Sequence, residues 1–252
     1  MKRIAAVLLA SFLVTLMFSC KKSDAELREK ALMADQLITE KSEINKEIKE
    51  LQARLKDAVD DYQRSQIYSK IAGLYNEKGD TTSTMKNARE AIKYQPNEYY
   101  SRYLLGKAYL DSGRFNEAES ELLTSIDLKN DFALSHFELG NVYYKKIRYS
   151  NAVSEYKLAI RFDEQCYQAY NNLGVILTLT GKGKDAVDIL KKGTNLKPDF
   201  PVYYKNLGIV YDTVLKKPKD AAENYSKYLE MRPDCPERKS VEAWIELLGG
   251  GK

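Results

Sequence analysis

The chain has 252 residues, 44% of them apolar and 30% charged, which is enough apolar material for a continuous core and excludes a disordered composition. Forty Lys and Arg against 36 Asp and Glu leave a net charge of +4, too small a surplus for a nucleic-acid footprint, so no nucleic-acid partner is expected. One histidine and three cysteines exclude a His-rich metal site and a disulfide framework, and no metal or cofactor is expected.

Residues 1–19 read as an export signal. Lys2 and Arg3 precede an uncharged run over residues 4–19, shorter than the ~20 residues that span a bilayer as a helix. The run ends in Leu16-Met17-Phe18-Ser19-Cys20, which resembles a bacterial lipobox. The resemblance implies cleavage before Cys20 and acylation of Cys20, with residues 20–24 as a lipidated tether and Lys21 and Lys22 at the headgroups. It implies a lipid anchor in a bacterial membrane at the cell envelope, with the folded part exported to the periplasmic side. A plain cleaved signal peptide with an incidental cysteine is the alternative.

Residues 25–64 contain no glycine or proline and are dense in Glu, Lys, Leu, Ile and Ala, which predicts one long helix. Ala34, Leu37, Ile44, Ile48, Leu51, Leu55, Ala58 and Tyr62 follow a seven-residue repeat, interrupted only by Lys41. Two readings stand side by side: a coiled coil making a homo-oligomer through residues 34–62, or a helix folding back on its own chain. Asp60-Asp61 reads as part of a solvated helix face.

The strongest signal is an internal period. Gly106, Gly140, Gly174 and Gly208 lie 34 residues apart, each after a leucine, and Tyr109, Tyr143, Leu177 and Tyr211 follow three residues later. Ala118, Ala152 and Ala186 keep the register, and Ala221 trails it by one. Within each unit apolar residues recur at helical spacing on both sides of a short break, and the breaks carry Gly79, Gly113 and Gly181, suited to a left-handed helix end. Glycine inside a helix costs ~1 kcal/mol against alanine. The Leu-Gly glycines are therefore expected at a close approach of two helices, each against a facing alanine. Cys166 and Cys235 fall two units apart, too far for a disulfide, and read as small buried residues.

These residues resemble the tetratricopeptide repeat family, with five units over 65–98, 99–132, 133–166, 167–200 and 201–235. The early tryptophan of the family is replaced by Tyr68, Arg102, His136, Tyr170 and Tyr204. The resemblance implies an all-α fold: a right-handed α-solenoid of five helix hairpins, preceded by the long N-terminal helix and closed by a capping helix and tail over residues 236–252. Val241, Trp244, Ile245 and Leu248 give that last helix its apolar stripe.

No constellation for chemistry appears, so no catalytic residue is expected. His136 occupies a structural place, and the glycines around Lys182 lack the strand that a phosphate loop needs. The resemblance places function in a concave groove made by the first helix of each unit. Its expected lining is Tyr100, Tyr103 and Lys107, then Phe137, Asn141, Tyr144 and Lys145, then Gln168, Asn171 and Val175, and last Lys205 and Asp212. Exposed aromatics with polar neighbours suit protein recognition. Asn141 and Asn172 match part of the family's carboxylate clamp, but Phe137, Val202 and Asn206 stand at its cationic places, so capture of a C-terminal carboxylate is not expected. The expected function is a membrane-anchored lipoprotein scaffold or adaptor that binds a protein partner in the groove, in envelope assembly or organisation. The alternatives are a coiled-coil oligomerising periplasmic module and a carrier of a small ligand.

Overall fold

The computed structural model describes residues 39–249 together with 32, 33 and 36. The expected export signal over residues 1–19, Cys20, the expected tether over residues 20–24, Ala34 and Leu37 lie outside the described residues. Helices and the turns between them account for the fold among the described residues, with no strand.

Two compact units divide at Ile67. In the first, helix α1 covers residues 39–54 and α2 (Asp61–Glu77) begins after a break. The single helix expected over residues 25–64 is thus interrupted. The chain tightens after α1 through i→i+3 bonds from Lys56 N to Ala53 O and from Asp57 N to Arg54 O, both 3.1 Å. It then restarts on a reciprocal cap: Gln63 N–H donates to Asp60 Oδ1 at 2.7 Å, while Val59 N–H donates to Gln63 Oε1 at 3.1 Å. Asp60 is therefore a helix-starting residue and, like Asp61, is exposed to solvent. Ile48, Leu51 and Ala58 are buried, but Tyr62 is 63% exposed, so the heptad seam does not run unbroken through residue 62.

From Tyr68 onward the molecule is a stack of helix hairpins. The elements are α3 (Thr81–Tyr94), α4 (Tyr99–Asp111), α5 (Phe115–Leu128), α6 (Ala133–Lys145), α7 (Tyr149–Phe162), α8 (Tyr167–Leu179), α9 (Gly183–Leu196), α10 (Pro201–Thr213), α11 (Pro218–Met231) and α12 (Arg238–Leu247). Helices α4 and α5, α6 and α7, α8 and α9, and α10 and α11 pair as hairpins. The second helix of each packs on the first helix of the next, and α11 packs on α12. The in-register alanines Ala118, Ala152, Ala186 and Ala221 are fully buried. The Leu-Gly glycines do open a close approach, but they do not face alanines. A Cβ on Gly140 would meet the Tyr156 ring at 2.6 Å, and one on Gly174 would meet Leu190 at the same distance. Glycine makes room for the largest side chains of the facing helix, which a larger residue at 140 or 174 would displace.

The turns after α2, α4, α6 and α8 repeat one geometry, from which the longer turn after α10 departs. After α4, Gly113 N–H bonds Leu110 O and Arg114 N–H bonds Tyr109 O, both at 2.9 Å, closing the helix end with a left-handed residue. Gly79, Gly113 and Gly181 hold φ of 73–74°. At the same place after α6 stands Ile147, with φ 60°.

The places of the missing tryptophans share a function in packing. Arg102 Nε, His136 Nε2 and the Tyr204 hydroxyl each reach the carbonyl six residues earlier, on Pro96, Asn130 and Pro198, at 3.0–3.2 Å. His136 is 4% exposed, and its Nδ1 meets Glu155 at 2.7 Å. Both ring nitrogens face acceptors, an arrangement that the imidazolium satisfies completely. Burial works against charging this ring, but Glu155 and the Asn130 carbonyl outweigh it and raise its pKa. Cys166 and Cys235 are buried free thiols, and burial pushes the Cys166 thiol up.

Candidate partner-binding groove

The first helices of successive hairpins present matching positions to one face, since a 34-residue period preserves rotation and height in the stack. Between α4, α6 and α8 this face opens into a cleft of about 580 Å³. Lys107, Leu110 and Asp111 line it from α4; Glu138, Asn141, Tyr144 and Lys145 from α6; Asn172 and Val175 from α8. Tyr156 reaches it from α7.

Its floor is a hydrogen-bonded chain of amides. Asn141 Nδ2 donates to Glu138 Oε2 at 2.8 Å, and Asn141 Oδ1 accepts from the Tyr156 hydroxyl at 2.7 Å and from Asn172 Nδ2 at 2.9 Å. Asn171 Nδ2 donates to Asn172 Oδ1 at 3.1 Å, and Asn206 Nδ2 donates to Asn171 Oδ1 at 2.8 Å. The chain thereby ties α6, α7, α8 and α10 together. A network of this kind with its members satisfied fixes side-chain rotamers and pre-orients donors toward a ligand.

The expected groove residues divide into three groups. Lys107, Asn141, Tyr144, Lys145 and Val175 line the cleft, and Asn171 lies in the amide chain behind it. Tyr103 is a correction: it is 6% exposed, stacked on Tyr100 at 5.8 Å and set edge-on to Phe132 at 5.3 Å, so it is part of the core between repeats. Burial pushes its phenol pKa up. Tyr100 covers the Gly73 backbone, and Phe137 is partly buried against the Tyr156 ring at 6.0 Å. These three rings pad helix contacts and do not line the cleft. Gln168 is exposed outside it, and Asp212 is half-buried near Tyr225.

Lys205 is also removed from the list of free donors. Its ammonium meets Glu237 at 3.0 Å, and the Tyr228 hydroxyl donates to the same carboxylate at 2.6 Å. The Tyr228 hydroxyl first, and Lys205 with it, hold the Glu237 carboxyl down at about 2. Lys107 is paired as well, with Asp111 at 2.9 Å.

Sequence reasoning missed Leu110, Asp111, Glu138 and Tyr156 as lining residues and named Asn172 only for the carboxylate clamp. Glu138 is 8% exposed. Burial raises its pKa, against the lowering effects of Asn141 and of Lys107 nearby. The signal was available: Glu138, Asn172 and Asn206 share one place in the 34-residue register and so form a polar stripe. Among the described residues no group of three or more His, Cys, Asp or Glu side chains could hold a metal ion.

Family models match this region, one described as "TPR repeat" over residues 106–146 and one as "Tetratricopeptide repeat" over 133–166 and 167–200. Superkiller complex protein 3 of Mus musculus is 29% identical over 111 residues, 44% of this chain, which spans only 7% of that much longer protein. Among solved structures, PilW, titled a widely conserved type IV pilus biogenesis factor, superposes with a TM-score of 0.67 at 19% identity, covering 74% of this chain and 87% of that one. YrrB, titled a TPR protein with an unusual peptide-binding site, gives 0.61 at 16% identity, covering 77% and 97%. Sequence register, hairpin stack and repeat models agree over residues 106–200, which carry tetratricopeptide repeats, and the solved structures share the hairpin-stack fold.

Proposed function

We propose that this chain is a non-catalytic scaffold, anchored to a bacterial membrane through acylated Cys20, that holds an extended segment of a protein partner against the α4–α6–α8 face during envelope assembly or organisation. The observation that carries the binding part is the cleft itself: a preformed concavity whose floor is pre-oriented by Asn141 and Asn172 and whose walls are Leu110, Tyr144 and Val175. Asn141 spends one of its two amide hydrogens on Glu138, which leaves the other as a fixed donor for an extended peptide backbone. The likeness to PilW, a type IV pilus biogenesis factor, and to YrrB, a TPR protein with a peptide-binding site, supports a scaffold role. The export signal and the Ser19-Cys20 junction support the anchor.

The test is photo-crosslinking in cells from positions 144 and 175, with position 120 on the outer helix α5 as control. The expected outcome is one discrete adduct from both cleft positions and none from the control, with Cys20→Ala releasing the chain from the membrane fraction. Equal adducts from position 120 overturn the groove. Unchanged membrane partition of Cys20→Ala overturns the anchor.

A further inference from the structure

We propose that the floor of the cleft at Glu138 is a pocket for one basic side chain, a lysine or arginine carried by the bound partner segment. The inference rests on the groove reading above and names the chemistry that the groove selects.

Of the three lysines expected in the groove, two are already paired. Lys107 is occupied by Asp111 at 2.9 Å and Lys205 by Glu237 at 3.0 Å. Glu138 is the carboxylate left over. It is nine-tenths buried, lines the cleft, accepts one hydrogen bond from Asn141 at 2.8 Å, and has no cation within ion-pair distance among the described residues. A buried carboxylate is stable when paired and costly when not, so this site is complementary to a cation brought by a ligand. The walls fit the stem of such a side chain. Leu110, Val175 and the ring of Tyr144 are the apolar surface along which four methylenes or a guanidinium plane can lie. Lys145 also lines the cleft but is exposed, where water screens it. A buried acid beside the apolar Leu110 and Val175 selects a long side chain ending in positive charge over a neutral or acidic one.

Binding is read by NMR on the isotope-labelled full chain, following the side-chain amide signals of Asn141 and Asn172. The probes are Nα-acetyl-arginine amide, Nα-acetyl-norleucine amide and Nα-acetyl-glutamate amide. In the wild-type protein, arginine amide is expected to shift both signals saturably, at least about tenfold more tightly than norleucine amide, with glutamate amide weakest. Glu138→Gln, which keeps the shape and the acceptor for Asn141, is expected to bring arginine down to the norleucine level. Equal affinity of arginine and norleucine amides for the wild-type chain overturns the proposal without any variant, which covers the case in which Glu138→Gln fails to fold. Preference for glutamate amide overturns it in favour of an anion subsite at Lys107 and Lys145. Should the arginine preference fail while crosslinks from positions 144 and 175 persist, the basic pocket falls and the groove stands. If the crosslinks fail as well, both fall.

Discussion

Glu138 and Glu237 are two carboxylates on the same stack, each near a groove lysine, and they end in opposite electrostatic states. At the C-terminal end Glu237 is half-buried, takes hydrogen bonds from Tyr228 and Lys205, and is held ionised down to about pH 2. In the central cleft Glu138 is buried, is given one amide hydrogen by Asn141, and loses its lysine to Asp111. Acid and lysine share a groove in both places, yet only the terminal pair closes. Helical spacing decides the difference: Asp111 lies one turn along the same helix from Lys107, so a local i,i+4 pair forms in preference to one across helices. A terminus seals itself in this way, while the middle of the groove keeps an acid for a ligand.

The largest expected effect comes from breaking the two regions sterically. Gly140 lies under the Tyr156 ring at the cleft, and Gly208 lies under the Tyr225 ring near the end. Gly140→Leu and Gly208→Leu should each cost about 1–3 kcal/mol, read as a lower urea midpoint, because neither ring has space to withdraw. Only Gly140→Leu should also remove arginine-amide binding, since Tyr156 holds Asn141 and through it Glu138. Loss of binding in both variants would mean that the two regions are one cooperative unit and that the comparison has no local content.

A smaller effect is a pH dependence of opposite sign at the two acids. Glu138 has a folded pKa above its ordinary value of 4.5, so the folded chain holds that proton more tightly and stability falls as pH rises from 4.5 through the folded value. Glu237 has a folded pKa of about 2, so its contribution is present above 4.5 and is lost as pH falls toward 2. Urea midpoints for wild type, Glu138→Gln and Glu237→Gln between pH 2 and 6 separate the two. Glu138→Gln should flatten the loss on the alkaline side, and Glu237→Gln the loss on the acid side. His136 acts higher: its pKa is raised above 6.5, so its stabilisation is complete below 6.5 and fades as pH rises through the folded value.

What the sequence made legible follows from what a period can carry. Leu-Gly pairs, alanines and turn glycines recur because each serves the same packing contact in every unit, so the hairpins and their core could be placed without coordinates. The groove could be placed on the right helices but not on all the right side chains. Tyr103 and Phe137 turn toward neighbouring helices, while the next position in register, Glu138 and Asn172, turns to the cleft. A rotation of about 100° separates the two assignments, less than a sequence pattern resolves on an all-round apolar helix. The break at residues 55–60 escaped notice because it uses neither glycine nor proline. Its signal was Asp60 three residues before Gln63, a capping pattern hidden inside a charged, helix-forming segment.

The smallest expected effect sharpens the comparison by changing stability beside the cleft without touching it. Ile147 closes α6 in the left-handed conformation at φ 60°, where the equivalent turns use Gly79, Gly113 and Gly181, and its side chain is 71% exposed. A β-branched residue there carries about 1–2 kcal/mol of steric cost that packing does not return. Near the other end Lys216 is also left-handed, at φ 54°, but it is not β-branched and the cost there is lower. Glycine gives back part of the gain through its greater freedom when unfolded. Ile147→Gly should therefore stabilise the chain by about 1 kcal/mol and Lys216→Gly by less, both read as raised urea midpoints. Arginine-amide affinity should remain at the wild-type value in both, because neither residue lines the cleft. If Ile147→Gly altered that affinity while raising stability, the amide floor would be under tension from its own turn, and the state of Glu138 would owe as much to strain in α6 as to the absence of a cation.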